Sequence, residues 1–226
     1  MKGAAMIAAA ILSLSAGASP GAAAETVAAP AAIVKGHSVV HPASGLTVTV
    51  PKSATYVGSD RFDLYGVADA EIEVFVEADA NKTVKKLYWI QFEGYWPSRP
   101  ELKYDYSDNR REQHWGTTVW VNAGPSATSK PTRAGSDGEH VRAILKRAGY
   151  TPPAEQMNVR MVQILDDPQG TGHGRRELMF IYGEDLAATG KSLADLTTKG
   201  EPNANWAPME KALVERAAKA FSIERK

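Results

Sequence analysis

Aromatic and charged side chains are concentrated in residues 88–120, where the sequence offers the most chemistry. Half of the chain's Phe, Tyr and Trp residues lie in this segment: Tyr88, Trp89, Phe92, Tyr95, Trp96, Tyr104, Tyr106, Trp115 and Trp120. Acidic and basic residues are interleaved with the rings, and Pro97 and Pro100 interrupt any regular period. The part from Tyr95 to Trp115 therefore predicts a long ordered loop, and such loops are often functional.

An aromatic wall with a few polar groups is typical of a small-molecule pocket, so we predict that this segment binds a small organic ligand. Tyr and Trp rings would offer stacking surfaces, and Arg guanidinium groups would pair with an anionic group of the ligand. The predicted ligand-binding residues are Tyr95, Trp96, Arg99, Tyr104, Arg110, Arg111 and Trp115. The alternative is that the rings form a second hydrophobic core beneath an irregular loop.

A second hypothesis is a cofactor-independent hydrolase or lyase, because titratable groups crowd the same segment. His114 or His140 would act as the base, assisted by Asp105 or Asp108. A third hypothesis is a protein-interaction module of the cell envelope, in which the aromatic rings form the interface with the partner.

Metal and cofactor sites have little support in the sequence. The chain contains no Cys, which excludes disulfides, thiolate metal sites and iron–sulfur clusters. His37 and His41 have the spacing of a helical metal-binding pair, but the Ser-Val-Val between them and the following Pro42 disfavour a helix. We therefore predict neither a metal nor a cofactor.

Two Gly-containing segments resemble phosphate-binding loops only in part. Residues 189–192 read Thr-Gly-Lys-Ser, but the motif's first Gly is replaced by Asp185, and a carboxylate would repel phosphate. We predict instead that Ser192 caps a short helix over 193–196. Residues 169–174, Gln-Gly-Thr-Gly-His-Gly, lie between two predicted strands and indicate a flexible hairpin connection.

Composition and the first residues indicate the compartment. Lys and Arg balance Asp and Glu at 26 each, so there is no basic excess with which to bind nucleic acid. Residues 1–24 predict a signal peptide, because Lys2 precedes an apolar stretch and small residues fit cleavage after Ala24 or Ala18. We expect a periplasmic or secreted protein with no membrane span after cleavage. Residues 25–45 predict a flexible N-terminal linker, and residues 46–226 a single domain.

Alternating and β-branched residues predict strands over 46–50, 61–67, 71–78, 84–93, 116–121, 157–165 and 176–182. The third and fourth of these predict a hairpin in which Glu77 lies opposite Lys86 and Phe75 opposite Tyr88. On the polar side of the third strand, the alternation of Glu residues at 71, 73 and 77 predicts a solvated face.

Helices are predicted at two further places. Ser136 and Glu139 match a capping box, and apolar residues follow at helical spacing until Gly149. Residues 206–222 predict an amphipathic helix. Because strands and helices do not alternate strictly, the sequence predicts an α+β fold, with a mostly antiparallel sheet and two to three helices packed on one face.

Overall fold

The structure is a computed structural model that describes residues 26–225 and is built mainly from antiparallel strands. The strands are β1 (Ile33–Lys35), β2 (Ser38–His41), β3 (Leu46–Thr49), β4 (Thr55–Leu64), β5 (Ala68–Ala78), β6 (Val84–Tyr95), β7 (Tyr104–Asp105), β8 (Arg110–His114), β9 (Thr117–Ala127), β10 (Glu155–Ile164), β11 (His173–Gly174), β12 (Arg176–Asp185), β13 (Thr197–Thr198), β14 (Glu201–Pro202) and β15 (Ser222–Arg225). The helices are α1 (Asp137–Arg147), α2 (Leu193–Leu196) and α3 (Trp206–Ala220). The predicted signal peptide lies outside the described residues.

A seven-stranded antiparallel sheet organises the molecule, in the order β4-β5-β6-β12-β10-β9-β8. A four-stranded sheet, β1-β2-β3-β15, joins residues from the two ends of the described chain. Two short pairs, β7 with β11 and β13 with β14, complete the strand pairing. Within residues 26–225, no helix combines the length and apolar character that crossing a bilayer requires.

The predicted hairpin is confirmed to the residue. β5 and β6 pair antiparallel, with Glu77 opposite Lys86 and Phe75 opposite Tyr88. The Lys86 amino group donates to the Glu77 carboxylate at 3.0 Å, as a favourable cross-strand pair should. A hairpin is a local structure, which is why strand alternation and turn chemistry were sufficient to predict its register.

Two hydrophobic cores lie on opposite faces of the large sheet, because side chains alternate along each strand. On β5, Ile72 and Val74 belong to one core, whereas Phe75 belongs to the other. Helix α1 packs into the first, hereafter the α1 core, through Ile144. Helix α3 packs into the second, hereafter the α3 core, through Leu213. The mostly antiparallel α+β fold is therefore confirmed, but α1 and α3 pack on opposite faces of the large sheet rather than on one face, because the central strands are apolar on both sides.

Residues 25–45 are not a simple linker in the part that the structure describes. They contain β1 and β2, which pair with each other and, through β2, with β3. Val39 is fully buried in the α3 core. Because these strands are very short, their alternation was too brief to be recognised among the Ala, Pro, Ser and Gly residues around them.

The helix caps predicted at Ser136 and Ser192 are both found. The Ser136 hydroxyl accepts the Glu139 backbone N–H at 3.3 Å, whereas the Glu139 carboxylate accepts from Gly135 rather than from Ser136. At α2, Ser192 and Asp195 form a complete reciprocal capping box. Caps of this kind depend only on neighbours in sequence, so they are readable without the fold.

The packing of α1 leads to a stability prediction. Ile144 is 0% exposed in the α1 core, so Ile144→Ala should lower the free energy of unfolding by roughly 2–5 kcal/mol. Ile33, 48% exposed, is the matched control, and Ile33→Ala should change it by less than about 0.5 kcal/mol. Urea unfolding followed by circular dichroism measures both values, and equal effects in the two variants would contradict this packing.

Candidate functional site

The aromatic segment divides between the two cores. Trp89, Tyr104 and Trp120 are buried in the α1 core, while Tyr88 and Phe92 are buried in the α3 core. The alternative prediction, that these rings serve as core, therefore describes part of the segment. In contrast, Tyr95 and Trp96 at the start of the segment and Trp115 near its end lie beside cavities.

Trp115 is held by the α3 core. Its indole N–H donates to the backbone carbonyls of Ala218 at 3.0 Å and Phe221 at 2.9 Å, at the end of α3. Its ring contacts Phe180 with centroids 5.0 Å apart. Trp115 thus anchors α3 to the turn between β8 and β9, a structural role that its prediction as a stacking surface did not include.

Arg175 orders the first half of the predicted loop. Its guanidinium donates to four backbone carbonyls, those of Trp96, Arg99, Pro100 and Leu102, over distances of 2.6–3.1 Å. The next part of the loop is held by the pairing of β7 with β11. The predicted loop is therefore ordered by residues about 75 positions later in the chain, but it is not one continuous loop, because β8 within it forms the edge strand of the large sheet.

The Gly-containing connection at 169–174 packs closely against the aromatic segment. Gly172 has a φ of +88°, and a Cβ atom there would lie 2.9 Å from the Ser107 backbone nitrogen and 3.0 Å from the Trp120 ring. The Asp167 carboxylate accepts the Gly172 N–H at 2.7 Å. The prediction of a simple flexible connection missed this packing, because glycine serves close approach as readily as it serves mobility.

A pocket of about 270 Å³ opens beside the end of β6. We call it the Trp96 pocket, and its rings and charged groups are His41, Phe92, Tyr95, Trp96, Arg61, Asp69, Glu71, Glu93, Arg176 and Glu177. Two of the predicted ligand-binding residues, Tyr95 and Trp96, therefore line one cavity. His41 and the charged residues come from β2, β4, β5, β6 and β12, which only the fold brings together.

The rings of the Trp96 pocket are held in place by their neighbours. The His41 imidazole stacks on Phe92 with centroids 3.8 Å apart and planes at 10°, and its Nδ1 lies 2.9 Å from the Ser44 hydroxyl. The Trp96 indole N–H donates to Asp63 at 2.8 Å, and Tyr95 stacks on Tyr104 at 4.4 Å. Burial lowers the pKa of His41, so this imidazole is neutral at neutral pH.

The charges of the Trp96 pocket are unevenly compensated. Arg61 donates to both oxygens of Asp69, at 2.9 and 2.5 Å, and lies 3.8 Å from Glu71. Glu71 also accepts the Ala32 backbone N–H. Arg176, in contrast, is exposed and forms no ion pair within the described part of the chain. Arg176 is therefore the guanidinium that a ligand in this pocket could reach.

The predicted solvated face of β5 is wrong. Glu71 and Glu73 are only 3% and 1% exposed, because the α3-core side of β5 is covered and residues preceding β1 reach Glu71. The Tyr56 hydroxyl donates to Glu73 at 2.7 Å, yet burial raises the pKa of Glu73 to about 7. Only Glu77, bonded to Ser53, Lys86 and Tyr88, keeps partial contact with solvent.

The three predicted anion-binding Arg residues do not line the Trp96 pocket. Arg99 is exposed and contributes its backbone carbonyl to Arg175. Arg110 pairs with Glu112 at 2.7 Å and Glu210 at 2.5 Å. Arg111 lies over the Trp120 ring at 6.0 Å. Arg99 thus lies at the surface, whereas Arg110 and Arg111 contact other side chains of the protein.

The predicted catalytic residues are also separated. His114 lies 2.7 Å from Glu112, and His140 lies 2.8 Å from Asp60 while stacking on Phe62. Asp105 accepts from Ser107, and Asp108 is exposed. Among residues 26–225, neither imidazole is hydrogen-bonded to either of the two aspartates, nor do any three His, Cys, Asp or Glu side chains form a group that could hold a metal.

A carboxylate pair that the sequence did not single out lies under the aromatic segment. Glu93 on β6 is directly opposite Glu177 on β12. The Tyr104 hydroxyl and the Gln91 amide donate to Glu93 at 2.7 and 2.6 Å, whereas Glu177 Oε2 is buried without a hydrogen-bond partner among the described residues. No local signal could reveal this pair, because its two members are far apart in sequence and meet only through sheet order.

Both carboxyl groups of the pair have raised pKa values. Burial raises the pKa of Glu93 to about 7, and burial together with the opposing Glu93 raises the pKa of Glu177. Burial likewise raises the pKa of Asp137, which adds negative charge near both glutamates, while Arg160 partly compensates. Two carboxylates this close cannot both ionise without a cost in free energy.

Comparison of the chain with protein-family models, with curated proteins and with solved structures finds no match. Function must therefore be inferred from the geometry of the cavities and of the carboxylate pair.

The carboxylate pair leads to a pH prediction. A carboxyl group whose pKa rises from 4.5 to about 7 on folding makes the free energy of unfolding fall as pH rises through that interval. Glu177→Gln removes one charge of the pair. It should raise the free energy of unfolding by roughly 1–3 kcal/mol at about pH 8, and by much less at about pH 5.

Urea unfolding at the two pH values measures this difference. Glu101, which is exposed in the aromatic segment, supplies the control, and Glu101→Gln should leave the pH dependence unchanged. The prediction is contradicted if the change in the free energy of unfolding caused by Glu177→Gln is less favourable at about pH 8 than at about pH 5.

Proposed function

We propose that the protein binds a small organic ligand in the Trp96 pocket. The observation that carries this proposal is the meeting of an aromatic wall, formed by the His41–Phe92 stack and Trp96, with the guanidinium of Arg176, which has no ion-pair partner within residues 26–225, around one cavity. Apolar walls with a few polar groups that fix orientation are typical of ligand sites. The exported location expected from residues 1–24 is part of the same proposal.

The pocket's size and charge narrow the ligand class. Its volume of about 270 Å³ suits a molecule with one ring rather than a dinucleotide or a long chain. Asp69 and Glu71 are compensated by Arg61 and by backbone, and the carboxylates of Glu93 and Glu177 lie on the other face of the sheet, beside Tyr104, so Arg176 supplies the net attraction. We therefore propose a single-ring ligand that carries a carboxylate or a comparable anionic group, with its ring against the His41–Phe92 stack.

An enzymatic role in this pocket would use a different base from the one predicted. His41 lines the cavity with a neutral imidazole, and its Nε2 forms no hydrogen bond within residues 26–225. His114 and His140 do not line it. A hydrolase or lyase acting on the same ligand class would therefore use His41 as general base, and the binding site is common to both proposals.

Arg176 and Arg99 provide a matched pair of variants for the binding proposal. A panel of single-ring carboxylates, beginning with benzoate and 4-hydroxybenzoate, is titrated while tryptophan fluorescence is followed. Arg176→Ala should weaken binding of the best probe by roughly tenfold or more, because a charge-assisted contact to the anion is lost. Arg99→Ala should leave the affinity within about twofold of the wild type.

Equal losses in both variants would show that only bulk positive charge matters. No fluorescence change for any member of the panel, with the circular dichroism spectrum of the folded protein intact, would reject this ligand class. His41→Ala adds a control on the aromatic wall, and its affinity should fall while that of Arg99→Ala stays unchanged.

A further inference from the structure

A second cavity, of about 440 Å³, lies at the other end of the aromatic segment. It is bounded by the turn between β8 and β9, by the end of β10 and by β15. We call it the Gln163 cavity, and its polar and aromatic wall includes Gln113, Trp115, Thr118, Gln163, Asp167 and Arg225. No lining residue except Leu165 is shared with the Trp96 pocket.

Gln163 is the unusual member of this wall. It lies on β10 and is only 4% exposed, yet its Oε1 has no hydrogen-bond partner among the described residues. Met161, two positions earlier on the same face of the strand, belongs to the α3 core. Buried side-chain amides are nearly always bonded, so the unpartnered amide of Gln163 beside a cavity indicates a place for hydrogen bonds to a ligand.

The rest of the wall offers donors and acceptors in balance. The Gln113 amide donates to the Thr118 hydroxyl at 2.9 Å, which leaves its carbonyl oxygen available. Asp167 is oriented by bonds from Gly172 and Thr171, and Arg225 is exposed. One acidic and one basic side chain leave the cavity formally neutral.

An apolar surface completes the cavity. Trp115 is fixed from behind by its bonds to the end of α3, so its ring is a rigid wall. Leu165 and Ile223 extend this wall. A rigid indole beside amides, hydroxyls and one charge of each sign suits a ligand with an apolar ring face and many polar substituents.

We propose that the Gln163 cavity binds a neutral polyhydroxylated ligand, namely a monosaccharide or a short oligosaccharide. Each sugar hydroxyl both donates and accepts, so it can bond the Gln163 side-chain amide and a neighbouring amide or carboxylate together. The C–H face of the sugar ring packs on Trp115. A net charge on the ligand would find no uncompensated partner, and a purely apolar ligand would leave Gln163 unsatisfied.

The test uses the full chain and named sugars. D-glucose, D-galactose, N-acetyl-D-glucosamine and maltose are titrated to millimolar concentrations while the indole N–H signals are followed by NMR. Binding in the Gln163 cavity should shift the Trp115 signal in a saturable way and leave the Trp96 signal in place. This readout also separates the cavity from the Trp96 pocket, on which the proposal does not depend.

Gln163→Met distinguishes a ligand contact from a structural role. Methionine keeps the approximate shape and removes the unpartnered oxygen, so the variant should be at least as stable as the wild type while sugar affinity falls by roughly tenfold or more. A merely structural Gln163 would lose stability instead. Gln156→Met, on the same strand but outside the cavity, should retain the wild-type affinity.

Arg225 keeps the proposal testable if Gln163→Met does not fold. Arg225→Gln should weaken sugar binding by roughly threefold or more, whereas Glu224→Gln, one residue away and outside the cavity, should not. The proposal is overturned if no sugar shifts the Trp115 signal, or if Gln163→Met and Arg225→Gln bind as tightly as their controls.

Discussion

The covering of both faces of β6, β10 and β12 is the constraint on which the rest of the structure depends. On strands buried from both sides, every polar side chain must find a partner, a proton or a ligand. Glu93 accepts hydrogen bonds from Tyr104 and Gln91, burial raises the pKa of Glu177, and Gln163 lines a cavity. The candidate sites therefore lie where polar residues interrupt otherwise apolar strands, and the loops form the remaining walls of these sites.

The aromatic segment connects the two cavities without being either of them. Tyr95 and Trp96 line one cavity at its start, and Trp115 lines the other near its end. Between these ends, Tyr104 is core and covers the carboxylate pair. The large rings of this one segment thus contribute to both cores and to the walls of both cavities. This is why the sequence composition was compatible with a ligand pocket and with a second hydrophobic core.

Local structure was readable from the sequence, and long-range structure was not. The β5–β6 register and the Ser192 cap follow from neighbouring residues, so the sequence was sufficient for them. Tyr95 and Trp96 were identifiable by residue type, but Arg176 and His41 reach the same pocket only through the pairing of β6 with β12 and the placing of β2. Likewise, burial of Glu73 could not be foreseen, because the elements that cover β5 lie elsewhere in the chain.

The pairing of β15 with β3 has a consequence for synthesis on the ribosome. Residues 222–225 are made after all the other described strands, yet they complete the small sheet and one wall of the Gln163 cavity. Until they emerge, the edge of β3 that pairs with β15 is free. A nascent chain can therefore assemble the β5–β6 hairpin early, whereas the small sheet is completed only after residues 222–225 have been made.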